Sequence, residues 1–273
     1  MFLDPIKLSS NSTMANTWVD GEKTIVFFSG QNHQPSFSDS LSNAELLGYD
    51  IESILFPNES GTLLNGWMLT PADGISDITL LHYHGNSGFI LNQHQAIAPL
   101  IKMGFRVFTF DYSGFGFSGG EASNANIFSD GMSALNYLKN RAETKNTPIV
   151  LYGQSMGGHV ATIIAAQNQS DIDGVVIEGA FTSYRDITSK RIPVVGGLMM
   201  KQGRDAIDFI RRNNKPLLVI HSTEDKIIPY QMGKTIFDNA NNPKTMYTIK
   251  KCHSCGPIFY ADSIAYKIRA MFQ

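Results

Sequence analysis

Gly153-Gln154-Ser155-Met156-Gly157-Gly158 lies between a short apolar run, Pro148 to Tyr152, and a stretch of small residues at helical spacing, Gly158 to Gln167. A serine flanked by glycines at the joint between a strand and a helix reads as a nucleophile elbow. A turn that tight leaves no room for side chains two positions either side of the serine, which accounts for Gly153 and Gly157. It lifts the hydroxyl clear of the backbone and aims the first amides of the next helix at the same space. A five-residue pattern of this kind recurs by chance, so its value depends on partners elsewhere in the chain.

Those partners follow downstream. Lys215 to Ser222 (KPLLVIHS) reads as a buried parallel strand, and Thr223-Glu224-Asp225 comes next. Asp225 therefore lies on a loop at a strand's C-terminal end, where open α/β sheets place their chemistry. Its bland reading is a turn aspartate capping the helix near Pro229, and Glu224 is the neighbouring alternative acid. Lys244 to Lys250 leads to Cys252-His253-Ser254-Cys255-Gly256, with Pro257 opening the last helix. His253 is preferred over His82, His84, His159 and His221 because it alone follows the last strand. The two cysteines around it cannot wrap a tetrahedral zinc without ligands from elsewhere. They read as reduced thiols, with a redox pair as the alternative.

A fourth segment supplies hydrogen-bond donors. Ile78 to His84 is an apolar strand running into Gly85-Asn86-Ser87-Gly88. Acyl transfer builds negative charge on a carbonyl oxygen, and two convergent backbone amides are the usual stabiliser. The expected donors are Met156, which follows the serine, and Asn86, with Ser87 as its neighbouring alternative. His84 is expected to brace that loop, and His82 and His159 to be structural.

The rest of the chain sets the frame. From Ile78 onward, strands are expected at 78–84, 105–111, 148–152, 173–178, 216–221 and 245–250. Helices are expected at about 91–103, 126–141, 156–168, 230–240 and 257–271. That alternation predicts an α/β fold with a mostly parallel central sheet and helices on both faces. Tyr49 to Pro57 and Thr62 to Thr70 around Asn58-Glu59-Ser60-Gly61 read as an antiparallel hairpin at its edge. Residues 1–48 are expected as an N-terminal arm packed on the sheet, with one strand at Thr24 to Phe28 and polar chain at Asn11 to Trp18. Residues 49–273 form the main domain, with a short cap at about 181–214. Phe89, Phe115, Phe117 and Phe181 are the candidate substrate-binding walls, with Met199 and Met200 as further apolar candidates.

Bulk properties narrow the classes. The chain has 273 residues, 42% hydrophobic and 17% charged, an ordinary balance for a globular protein. A net charge of −2 with scattered basic residues gives no electrostatic case for nucleic acid. No apolar run is long enough to span a membrane, and the N-terminus lacks the pattern of a secretory signal. Two cysteines do not make a disulfide framework, so a cytoplasmic location is expected. No metal is expected, because no second ligand cluster accompanies Cys252-His253-Ser254-Cys255, and no cofactor, because D-Y-S-G-F-G-F-S-G at Asp111 to Gly119 is not a dinucleotide loop.

Together H-G-N at His84 to Asn86, D-Y-S-G-F-G-F-S-G, G-Q-S-M-G-G, F-T-S at Phe181 to Ser183 and H-S-T-E-D-K-I-I-P at His221 to Pro229 resemble the α/β-hydrolase superfamily. The nearest branch looks like small-lidded serine hydrolases, serine aminopeptidase-like or protein depalmitoylase-like. The chain departs from that branch at Ser113, where arginine is usual, and at Gly88-Phe89, where a second glycine-asparagine pair is usual. The resemblance implies a Ser155–Asp225–His253 triad acting on a small acyl ester or thioester, or on an acylated protein. A peptidase or other hydrolase with the same triad and a non-catalytic binding protein of this fold are the alternatives.

Overall fold

A computed structural model describes residues 3–19, 21–191 and 205–273. Its strands are β1 (Asp4–Pro5), β2 (Met14–Val19), β3 (Glu22–Ser29), β4 (Gln34–Ser36), β5 (Tyr49–Pro57), β6 (Leu63–Pro71), β7 (Ile78–Tyr83), β8 (Ser87–Gly88), β9 (Phe105–Phe110), β10 (Ile149–Gln154), β11 (Gly174–Glu178), β12 (Leu217–Ser222) and β13 (Lys244–Ile249). Its helices are α1 (Asn43–Leu47), α2 (Ile90–Gln93), α3 (Ala98–Ile101), α4 (Asn124–Lys139), α5 (Met156–Gln167), α6 (Tyr184–Arg191), α7 (Ala206–Ile210), α8 (Tyr230–Asn239) and α9 (Gly256–Arg269). Eight strands form one mostly parallel sheet in the order β13-β12-β11-β10-β7-β9-β6-β5. The expected α/β class and its antiparallel N-terminal strands are both present.

The chain divides into two compact units, one of them Leu3–Leu81 with Ser87–Thr147. Here the β5–β6 hairpin pairs Ile54 with Gly66, and β6 continues antiparallel to β9. Phe56, Trp67, Phe108 and Phe110 are almost fully buried. Burying such a side chain is worth about 1.5–3 kcal/mol, which makes this the unit's cohesive centre. Buried Asp130 ties its parts together by accepting from Asn58 Nδ2 at 2.8 Å and from the Ser113 amide at 2.7 Å.

Two sequence expectations in this unit are corrected. The helix expected at 91–103 is broken into α2, a 3₁₀ turn at His94–Ala96, and α3. Pro99 lies in the first turn of α3, where its missing N–H costs nothing, but its ring cannot continue a helix from before it. The chain at Asn11 to Trp18, read only as polar with no strand expected there, contributes β2 to a three-stranded antiparallel sheet β2-β3-β4. Its buried member is Thr17, which receives a hydrogen bond from Gln95 at 2.8 Å, so no apolar alternation announced it. Asn32 and Gln34 then bond the backbone of β5 at Ser53 and Ile51.

The other unit holds His82–Asn86 and, among the described residues, 148–191 and 205–273. Strands β10 to β13 run parallel, with Gln154 beside Glu178, Glu178 beside Ile220, and Ser222 beside Ile249. Every residue of β10, β11 and β12 is buried, as expected of parallel strands covered on both faces. Helices α6 and α7 fall in the expected cap region. Met199 and Met200 lie outside the described residues.

Candidate active site

Ser155 follows directly on β10 and precedes α5, with φ 55° and ψ −117°. A non-glycine residue in such a conformation costs on the order of 1–3 kcal/mol and persists only where its surroundings impose it. Here the Ser155 amide donates to the Glu178 carbonyl at 2.8 Å, and the Ser155 carbonyl accepts from the Gly158 amide at 3.0 Å. A methyl group at Gly153 would strike the Gly157 carbonyl, as the tight turn requires. Gly157 has a different reason: a methyl there would collide with the Tyr83 carbonyl oxygen and stand 2.8 Å from that of His84. The end of β7 thus presses on the first turn of α5. That contact brings the chain entering Gly85-Asn86 beside Met156, the first residue of α5. The first amides of a helix have no intrahelical partner.

Asp225 and His253 meet. His253 Nδ1 lies 2.6 Å from Asp225 Oδ2, the aspartate side chain being 1% exposed and the histidine 17%. The other carboxylate oxygen accepts from the amides of Ile227 and Ile228 at 2.8 and 2.9 Å. Burial pushes the Asp225 carboxyl upward, but its bond with His253, the charge of that ring and the two amides outweigh it, and the group ends below its ordinary value. It therefore stays ionised at neutral pH. Glu224 turns elsewhere and accepts from the Lys251 amide at 3.0 Å. His221 is buried beside the same aspartate at 3.5 Å, with its Nε2 also 3.0 Å from the Ile228 carbonyl. Burial lowers its pKa, so it flanks Asp225 as a neutral ring.

Gly179 carries the His253 ring. With φ +58°, it occupies the left-handed region that favours glycine, and a methyl there would stand 3.0 Å from both Nδ1 and Cε1 of His253. The remaining histidines take structural places. His84 Nδ1 bonds the Gly85 carbonyl at 2.7 Å, and His82 Nε2 bonds Gln154 Oε1 at 3.0 Å. His159 stacks on Phe181 at 4.8 Å between ring centroids.

The aromatic candidates are divided between the two units. Phe181 is 2% exposed and belongs to a cluster with Tyr184, Ile228 and Met232, in the unit that carries Ser155. Phe89, Phe115 and Phe117 belong to the other unit. There Phe115 is fully buried against Tyr112, and Phe117 stacks on His33 at 3.8 Å. Phe89 is also buried.

Cys252 and Cys255 are joined by a disulfide, which corrects the expectation of two reduced thiols. The turn that exposes His253 brings their Cα atoms to 5.7 Å, inside the span a disulfide bridges. Counting cysteines gave no view of that turn.

Glu178 is the residue that sequence reading missed. It ends β11 and is 1% exposed. An acidic residue closing the apolar run Gly174-Val175-Val176-Ile177 was the available signal. Among the described residues no group of three or more His, Cys, Asp or Glu stands close enough to hold a metal ion.

A mostly parallel sheet with a serine in a strained strand-to-helix turn, and an acid–histidine pair on later strand ends, defines the α/β-hydrolases. The chain belongs to that superfamily. The family model described as serine aminopeptidase, S33, matches residues 76–202. YfhR of Escherichia coli O157:H7, a protein described as uncharacterized, is 34% identical over 208 residues, covering 74% of this chain and 72% of its own length. The lysophosphatidylserine lipase ABHD12 of Danio rerio is 27% identical, over 71% of this chain and 54% of its own. Among solved structures, the Pyrococcus furiosus esterase Pf2001 superposes with a TM-score of 0.67 over 87% of this chain and 94% of that one, at 18% identity.

Proposed function

We propose that the chain is a serine hydrolase that cleaves a carboxylic ester or thioester through an acyl-enzyme on Ser155. The observation that carries this reading is the 2.6 Å bond between buried, ionised Asp225 and His253. With Nδ1 facing a carboxylate, the ring keeps its proton on that nitrogen and leaves Nε2 as the base. Nε2 takes the Ser155 proton as the hydroxyl oxygen attacks the acyl carbonyl. The amides of Met156 and Asn86 stabilise the oxyanion, each such donor being worth about 2.7–4 kcal/mol of barrier. His253 then protonates the departing alcohol or thiol and later activates the water that releases the acid.

Ester chemistry is favoured by the activities for which the relatives are named, a lipase and an esterase. Amide cleavage is the second reading, favoured by the aminopeptidase description of the matching family model. Short-chain p-nitrophenyl esters, acyl thioesters and aminoacyl amides assayed side by side separate the two. Ser155→Ala is expected to lower turnover by at least about a thousandfold and to abolish labelling by a fluorophosphonate. Full turnover by this variant would refute the assignment, and a folded wild-type chain that takes no label would favour a binding protein of this fold.

A further inference from the structure

Three donors converge on the buried carboxylate of Glu178, and they come from two separate parts of the site. Tyr152 Oη and Gln154 Nε2, both on the strand that leads into Ser155, donate to Oε2 at 2.9 Å each. From the histidine loop, the Gly256 amide donates to Oε1 at 2.6 Å. Gln154 Nε2 also reaches that loop directly, donating to the Ser254 carbonyl at 3.2 Å, while its Oε1 is taken up by His82. The Glu178 backbone completes the set, since its carbonyl accepts from the Ser155 amide. One residue therefore bonds the serine through its main chain and the histidine loop through its side chain.

Its surroundings leave little slack. A methyl at Gly256 would stand 2.8 Å from Glu178 Oε1, so the loop comes as close as a backbone can. The next residue along from Glu178 is Gly179, on which the His253 ring rests. On either side of His253 the backbone is held in positive φ, 96° at Lys251 and 52° at Ser254. A loop in that conformation needs an external anchor to hold one position. Burial pushes the Glu178 carboxyl upward, and the bonds from Gln154, Gly256 and Tyr152, with the charge of His253, pull against that rise.

We infer that Glu178 is a positioning residue for the proposed hydrolysis: its carboxylate clamps the histidine loop to the serine-bearing strand and fixes His253 relative to Ser155. The inference rests on the acyl-enzyme reading above. It adds a fourth side chain to the machinery, one that touches neither substrate nor reacting atoms. Glutamine at this position keeps the shape and can still accept from the Gly256 amide. Its own amide then faces Gln154 Nε2 donor to donor, so the link through Gln154 to Ser254 is lost.

The test compares wild type, Glu178→Gln and Tyr152→Phe with a p-nitrophenyl ester. The downfield ring N–H proton of His253 is followed by NMR. Glu178→Gln is expected to lower kcat about ten- to hundredfold, the kinetic equivalent of losing one hydrogen bond to a charged group. KM should stay within about twofold, as for an interaction that matters to the reacting arrangement rather than to binding. The His253 N–H signal should broaden or vanish while near-ultraviolet dichroism stays native. A folded Glu178→Gln chain with unchanged kcat, or with its loss confined to KM, overturns the inference and leaves the proposed function standing. Should Glu178→Gln fail to fold, Tyr152→Phe carries the test: a several-fold loss in kcat supports the inference, and an unchanged kcat overturns it. A wild-type chain inert to both ester and fluorophosphonate overturns function and inference together.

Discussion

At the scale of single residues, Asp225 concentrates the site's electrostatics. It accepts from His253 and from two backbone amides, and it is held below its ordinary pKa despite burial. An asparagine side chain at this position would offer an NH₂ group to the ring nitrogen that donates in the proposed mechanism, and so favour the opposite tautomer of His253. Asp225→Asn is accordingly expected to lower kcat by about a thousand- to ten-thousandfold, with KM little changed in steady-state ester assays. The places of Ser155, Asp225 and His253 after strands were legible because each sits in a local turn signal that survives in one dimension. Glu178 was not, because its role depends on contacts with Tyr152, Gln154 and Gly256. Only the folded chain brings those three donors around it.

At the scale of elements, the parallel strands were legible to within a residue or two, since β10, β11 and β12 are buried along their whole length and read as unbroken apolar runs. Elements without such patterning were harder. The β2 strand hides a threonine rather than an apolar side chain, and the broken helix at 90–101 depends on one proline in an otherwise helical spacing. The elbow shows how a correct expectation can rest on an incomplete reason. Gly157 is required by the carbonyls at the end of β7, which the elbow motif itself does not contain. Gly157→Ala must therefore push α5 away from β7 or distort Ser155. A loss of about 1–3 kcal/mol is expected from such overpacking, read as a lower urea midpoint, together with loss of fluorophosphonate labelling. An alanine variant with wild-type stability and labelling would contradict this account of the turn.

At the scale of the whole molecule, a histidine that the fold keeps neutral contributes to the loss of stability on the acid side. His94 is 1% exposed among Phe37, Tyr49 and Trp67, and its Nδ1 bonds the Ile90 carbonyl. Burial lowers its pKa to about 4, against the partial opposition of the Ile90 and Leu91 carbonyls. The folded value lies below the unfolded one of about 6.5, so the unfolded chain takes up the proton first and stability falls as pH drops through that window. His94→Gln is expected to flatten the decline in melting temperature between about pH 6.5 and 4; an unchanged slope would place the effect elsewhere. Composition and charge had bounded the class of molecule, but they could not show which histidines would be enclosed. Nor could they show the disulfide between Cys252 and Cys255. The sequence has two cysteines and neither is a free thiol. In non-reducing buffer the chain thus has no sulfhydryl to compete for an electrophile. Maleimides and iodoacetamide have no cysteine to modify, and a broadly reactive acylating reagent meets its serine against a silent thiol background.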